Sequence, residues 1–110
     1  MKNPEALKGH LDLLLLTSLE GSPAHGYAAL ERLREHSRGT FDLPEGTIYP
    51  ALHRLEEAGF LSSRWSEASG RRRRVYQLTV KGQRSLLKRR REWEAFANGI
   101  NAVLEQGAGR

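Results

Sequence analysis

Gly46-Thr47-Ile48-Tyr49-Pro50-Ala51-Leu52-His53-Arg54-Leu55-Glu56-Glu57-Ala58-Gly59 is the stretch whose reading decides the fold. Ile48, Leu52 and Leu55, with Ala51 beside them, recur at helical spacing and form one apolar face of a helix lying within Glu45 to Ala58. At about 100° per residue, Gly46, Pro50, His53, Arg54 and Glu57 fall on the opposite side, with Thr47 and Tyr49 on its flanks. Pro50 lacks an N–H and is harmless only in a first turn, so the helix is expected to start near Thr47, whose hydroxyl can cap it. A start near Pro44 would require a kink. Gly59 closes the helix.

Two helices are expected upstream. Leu7, Leu11, Leu14, Leu15 and Leu19 make a buried stripe on a helix from Pro4 to Glu20, and Leu13 and Leu16 widen it. Gly21 is a stop, and Ser22-Pro23 is a start signal, a hydroxyl cap before proline at the first helical position. The second helix then runs from about Pro23 to Ser37. Its Tyr27, Leu30 and Leu33 face inward, Glu31, Arg32, Arg34 and Glu35 face outward, and Gly26 could let two helices approach closely.

Downstream the period changes. Leu61, Ser63 and Trp65 alternate with Ser62, Arg64 and Ser66, and Arg73 to Leu78 alternates again after a turn at Ala68-Ser69-Gly70. This is a hairpin carrying Arg71, Arg72, Arg73 and Arg74 in succession. Alternation forbids all four from facing one way. Arg71 and Arg72, nearest the turn, are the better candidates for phosphate or minor-groove contact, and one of Arg73 and Arg74 faces back along the sheet. Thr79 caps a last helix, roughly Val80 to Glu105. There Leu86, Trp93 and Ile100 are spaced by seven, with Phe96, Ala97, Val103 and Leu104 completing a heptad seam. The tail from Gly107 to Arg110 is expected to fray.

Charge follows the same division. Residues 1–63 hold six basic against nine acidic side chains, residues 64–91 hold eleven against Glu67 alone, and residues 92–110 are again net negative. A basic segment between near-neutral flanks is the footprint expected for phosphate contact, although a solvated face or an anionic membrane patch would have the same composition. The chain of 110 residues suffices for one modest core, has no cysteine, and has no apolar run long enough to span a membrane. The absence of a secretory pattern at the N-terminus leads to the expectation of a cytoplasmic protein.

Three short helices, a basic-tipped hairpin and a terminal helix form a winged helix-turn-helix layout, mainly α with a small β-hairpin. Residues 1–79 are expected to be the winged DNA-binding part and residues 80–110 the dimerisation helix of the same compact unit. A helix such as the third fits the major groove of double-stranded DNA, and the hairpin arginines reach phosphates or a narrow minor groove beside it. The terminal helix cannot bury Trp93, Phe96, Ile100 and Val103 against so small a core, which points to a homodimer with Leu11 and Leu15 of the first helix contributing.

Leu7-Lys8-Gly9, Leu13 to Leu19 and His25-Gly26-Tyr27 resemble the opening of PadR-like transcriptional regulators. The Gly46–Gly59 stretch is similar to their recognition helix, and Arg74-Val75-Tyr76-Gln77-Leu78-Thr79 with Gly82 is similar to their second wing strand and final cap. Together these cover most of residues 5–82, and the single C-terminal helix is similar to that of the shorter members. The resemblance implies a repressor dimer on a palindromic operator, released by a small effector. It implies DNA contact by Thr47, Tyr49, Pro50, His53 and Arg54, where Tyr49 could instead pack on the wing. It also suggests that Trp93 lines a pocket for a flat apolar or aromatic effector, the alternative being ordinary interface packing. Lys8 could touch a phosphate or be solvated.

Other readings weighed are a winged-helix module that binds an acidic protein and a general RNA or DNA binder. Catalysis is not expected. His10, His25, His36 and His53 lie on different elements without metal-ligand spacing, and there is neither a nucleophile elbow nor a phosphate-cradling glycine loop. No metal or cofactor is expected.

Overall fold

The structure is a computed structural model that describes Leu7, residues 9–67 and residues 70–108. Lys8, the N-terminal turns of the expected first helix, Ala68-Ser69 of the expected turn and the last two residues of the tail lie outside the described residues. The elements in chain order are α1 (Leu11–Ser18), β1 (Ala24–His25), α2 (Gly26–His36), α3 (Glu45–Glu57), β2 (Leu61–Ser66), β3 (Arg73–Leu78) and α4 (Val80–Ala108).

The helix expected from Pro4 to Glu20 is interrupted: Leu7 is helical, but the chain turns at Gly9 and His10. Gly9 takes φ +88°, and His10 then serves as the N-cap of a helix that begins at Leu11. Leu7, Leu15, Leu16 and Leu19 are buried, while Leu11, Leu13 and Leu14 are partly covered and pack against the core.

The second correction concerns Ser22-Pro23. α2 starts at Gly26, and its cap is His25, whose Nδ1 accepts from the Ala28 N–H at 3.2 Å. Ser22 and Pro23 instead belong to a loop held by Arg32, which sequence places in solvent. Its guanidinium donates to the carbonyls of Ser18, Ser22 and Pro23 and to Ser22 Oγ. The freed Ala24–His25 segment pairs antiparallel with β3, giving a three-stranded sheet in the order β1-β3-β2.

α3 starts at Glu45, with Pro44 as N-cap, so Thr47 does not cap it and Pro50 lies inside the helix. The carbonyl four residues before Pro50 belongs to Gly46, which is exposed with open space around it. An acceptor denied its intrahelical donor by proline is there free to face water, which lowers the usual cost. At the other end Gly59, at φ +86°, lets the Phe60 N–H return to the Leu55 carbonyl at 3.0 Å, a Schellman closure. Lys81 Nζ adds a bond to the Ala58 carbonyl at 2.8 Å, a cation at the negative end of the helix.

The hairpin register puts Leu61 opposite Leu78, Ser63 opposite Tyr76 and Trp65 opposite Arg74. Tyr76, Leu61, Ile48, Leu52, Leu55 and Leu86 close one core with the α1 leucines. Thr79 caps α4 as expected. Its Oγ1 accepts from the Gly82 N–H at 3.0 Å and donates to the Gly59 carbonyl at 2.6 Å. The first turns of α4 pack on the core through Leu86. The helix stays against the α1 end of the molecule as far as Trp93, and the rest projects, drawing the molecule out to 61 × 28 × 21 Å.

Candidate nucleic-acid interface

The polar side of α3 is open. Thr47, Tyr49, Pro50, His53 and Arg54 are all exposed, while Ile48, Ala51, Leu52 and Leu55 are buried. The two flanks of this face differ. On one side Tyr49 packs against Gly26, which confirms a close approach of two helices at that glycine. With Tyr27, Glu45, Trp65 and the hairpin arginines, Tyr49 lines a cleft of about 370 Å³ between α3 and the wing. Tyr27 therefore faces out, 50% exposed, and not into the core as its spacing suggested. Glu45 is the acidic exception in this cleft.

The four arginines are sorted by the sheet. Arg72 and Arg74 carry their guanidinium carbons 4.4 and 5.2 Å from the Trp65 ring centroid. Arg74 is the one that faces back along the sheet, donating to Ser63 Oγ at 2.8 Å and standing 3.9 Å from Glu56, which itself bonds Ser63. Arg73 points to the other face, its Nη1 2.7 Å from His25 Nε2. A neutral imidazole has one bare nitrogen. His25 can thus accept from Ala28 or from Arg73, not from both. Burial, then Arg73 and Arg32, lower the His25 pKa and so favour the neutral ring. Arg71 is exposed at the tip.

On the other flank Arg54 is not free. Its guanidinium makes a two-pronged pair with Asp12 of α1 at 2.9 and 2.7 Å. That bond is the main cause holding the Asp12 carboxyl below the usual carboxylate range, and it raises the Arg54 pKa in turn. The structure brings Tyr49 together with the wing arginines and sets Arg54 apart from them.

A second group of exposed side chains lies on α4. Trp93, Phe96, Ile100 and Val103 are 42, 57, 43 and 71% exposed, with Leu104 alongside. Trp93 meets His10 edge-on at 5.1 Å, and the two line a recess of about 230 Å³ with Leu13, Arg89, Glu92 and Phe96. Leu15, expected on the same surface, is instead wholly enclosed in the core, because the winged fold buries that side of α1. Leu11 is partly covered.

Residues missed in the sequence are Trp65, His25 and Asp12. Trp65 left a signal, since alternation from Leu61 sets it on the face of Arg74. His25 caps α2 from three residues away, but histidine is not among the usual capping residues; Asp12 acts across the fold and left no signal.

Among the described residues no three histidine or carboxylate groups are placed to hold a metal, and no helix is long and apolar enough to cross a membrane. Comparison with known proteins agrees with the winged architecture. The transcriptional regulator PadR-like family matches residues 15–88. Transcriptional regulator Rv3488 of Mycobacterium tuberculosis is 42% identical over 76 residues, covering 69% of this chain and 71% of the relative. Among solved structures, a transcriptional regulator of Clostridium thermocellum superposes with TM-score 0.83 at 26% identity, covering 93% of this chain and 97% of that one. A PadR family regulator of Clostridium difficile gives 0.78 at 37% identity, covering 87 and 99%. Bacillus subtilis PadR, solved in complex with operator DNA, shares the fold at TM-score 0.66 and 23% identity, over 73% of this chain and 46% of its own. Matched over residues 15–88 and sharing the winged fold, this chain belongs to the PadR-like family of transcriptional regulators, which are not enzymes.

Proposed function

We propose that the protein is a sequence-specific DNA-binding repressor, active in the cytoplasm as a homodimer on a palindromic operator and released by a small apolar or aromatic effector. The observation that carries this reading is the cleft in which Tyr49 of α3 faces the wing arginines, on a helix face that also leaves Thr47, Pro50 and His53 exposed. The helix face enters a major groove, and Arg71, Arg72 and Arg73 grip phosphates or the adjacent minor groove. Arg74, tied to Ser63, holds the strand in place, and Arg54 adds a contact once it leaves Asp12.

Dimerisation is assigned to residues 80–110, with residues 1–79 as the DNA-binding part of the same unit. Its support is the apolar stripe of Phe96, Ile100 and Val103, left exposed among the described residues, with Trp93 at its edge partly covered by His10. A surface of that kind on a small protein marks an association site, and a two-fold pair would set two α3 helices about one DNA turn apart. The recess beside Trp93, continuous with this stripe, is the assigned effector site.

The test is a gel shift on the promoter of the protein's own operon, with competitor DNA and a salt titration. About four phosphates neutralised per subunit gives a slope near −7 for a dimer. Competitor-resistant retardation supports the reading. Uniform, salt-labile binding would leave only a general binder, and absence of binding would remove DNA as the partner. Sedimentation of Phe96→Glu and Ile100→Glu tests the dimer, and a reporter assay fixes the sign of regulation.

A further inference from the structure

Two arginines converge on one carboxylate outside the wing. Asp12 accepts both prongs of Arg54, and Arg89 Nη1 of α4 stands 3.5 Å from Asp12 Oδ2. The three groups lie at different depths. The Asp12 side chain is 18% exposed, Arg89 30% and Arg54 58%. Arg89 is further fixed by a bond from its Nε to Ser85 Oγ at 2.9 Å and lies over the Phe60 ring. Arg54 is the outermost of the three and sits on the open face of α3.

The cost of breaking a partly buried ion pair is chiefly that of the lone charge it leaves. Here Asp12 would not be left alone, because Arg89 is already beside it. Arg54 can therefore depart at small cost, and a phosphate offers it the same two-pronged acceptor geometry as a carboxylate. We propose that Asp12 is a positioning residue that keeps Arg54 in reserve: in the free protein it holds Arg54, and a DNA phosphate draws Arg54 away while Arg89 takes over the carboxylate. This rests on the DNA-binding reading above. It makes Asp12 an internal competitor of the operator, and it ties the hold on Arg54 to the position of α4, which carries Arg89.

The experiment uses the full chain and the operator duplex, with affinity measured across a salt series. Asp12→Asn keeps the shape and removes the charge. It is expected to bind about two- to fivefold more tightly per subunit, the worth of one exposed pair, with the salt slope of the wild type. Arg54→Ala should bind more weakly, with a slope shallower by about one per subunit. In that background Asp12→Asn should bring no gain. Arg89→Ala leaves Asp12 dependent on Arg54 and should weaken binding with the slope unchanged, which carries the test even where Asp12→Asn folds poorly. Equal or weaker binding by a folded Asp12→Asn, a gain that survives in Arg54→Ala, or a shallower slope in Arg89→Ala overturns the proposal while the DNA reading stands. Wild-type protein that binds no duplex overturns both.

Discussion

Tyr49 fills the space that Gly26 leaves: a β-carbon on residue 26 would fall 2.5 Å from Tyr49 Cε1 and 2.8 Å from Cζ. The ring is at the surface, 36% exposed, so it and not the core must yield to a larger neighbour. Gly26→Ala is expected to cost about 1 kcal/mol of stability, the low end for overpacking, but to weaken operator binding by about 1–3 kcal/mol. Thermal unfolding and gel shift on the same preparation check this. Unchanged operator affinity would take Tyr49 off the contact surface.

Trp65 organises the wing. Four adjacent arginines repel one another, and the attraction of two of them to one indole offsets part of that cost, at about 0.5–1 kcal/mol for each exposed contact. Trp65→Ala should leave the fold and the sedimentation mass unchanged and lower DNA affinity by about 1 kcal/mol, with Trp65→Phe in between. Since the chain has two tryptophans, a Trp93→Phe background makes Trp65 the sole emitter. Operator DNA should alter its fluorescence, and an emission indifferent to DNA would place the wing away from the duplex.

Gly82 has no room to change. A β-carbon there would overlap the Phe60 carbonyl oxygen, a backbone atom also bonded by the Thr79 N–H at 3.2 Å. Gly82→Ala should cost about 1–3 kcal/mol and lower the thermal midpoint by at least about 4–8 °C. Gly99, on the same helix with open space around it, is the control. Equal midpoints for the two variants would refute the close packing at residue 82.

His25 gives stability a pH dependence. The unfolded chain takes up a proton near pH 6.5, whereas burial, Arg73 and Arg32 lower the folded value. The contribution of the neutral ring is therefore whole above about pH 6.5 and is lost as pH falls through that value toward the folded one. Protonation removes the acceptor that caps α2. Denaturant midpoints should drop as pH falls through about 6.5 in the wild type and stay flatter in His25→Asn, since asparagine caps without titrating. Parallel pH profiles for the two would discount the cap.

Features set by local chemistry were legible in the sequence. Thr79 as a cap, Gly59 as a stop and Arg73 to Leu78 as a strand each follow from a few adjacent residues, and the structure has all three. The errors arose where distant partners decide. Ala24–His25 has too few residues to show a period, and it is a strand only because β3 offers an edge. Tyr27 has core spacing, yet it faces the wing. Pro50 sits deep in a helix because Gly46, in open water, tolerates the lost bond. The pair of Asp12 and Arg54 joins residues whose separation of 42 in sequence carries no signal at all. The open face of α3 was legible, but not that one of its arginines is already engaged.

The contact at Gly82 also has a mechanical meaning. It pins the first turn of α4 to the Phe60 backbone, and Leu86 in the core, Arg89 at Asp12 and Trp93 at His10 hold the helix over the next three turns. Past Trp93 it runs on for about 22 Å at 1.5 Å per residue to Ala108. A force on that far end is delivered to α1 and to the Phe60 backbone together, as on a beam clamped along half its length.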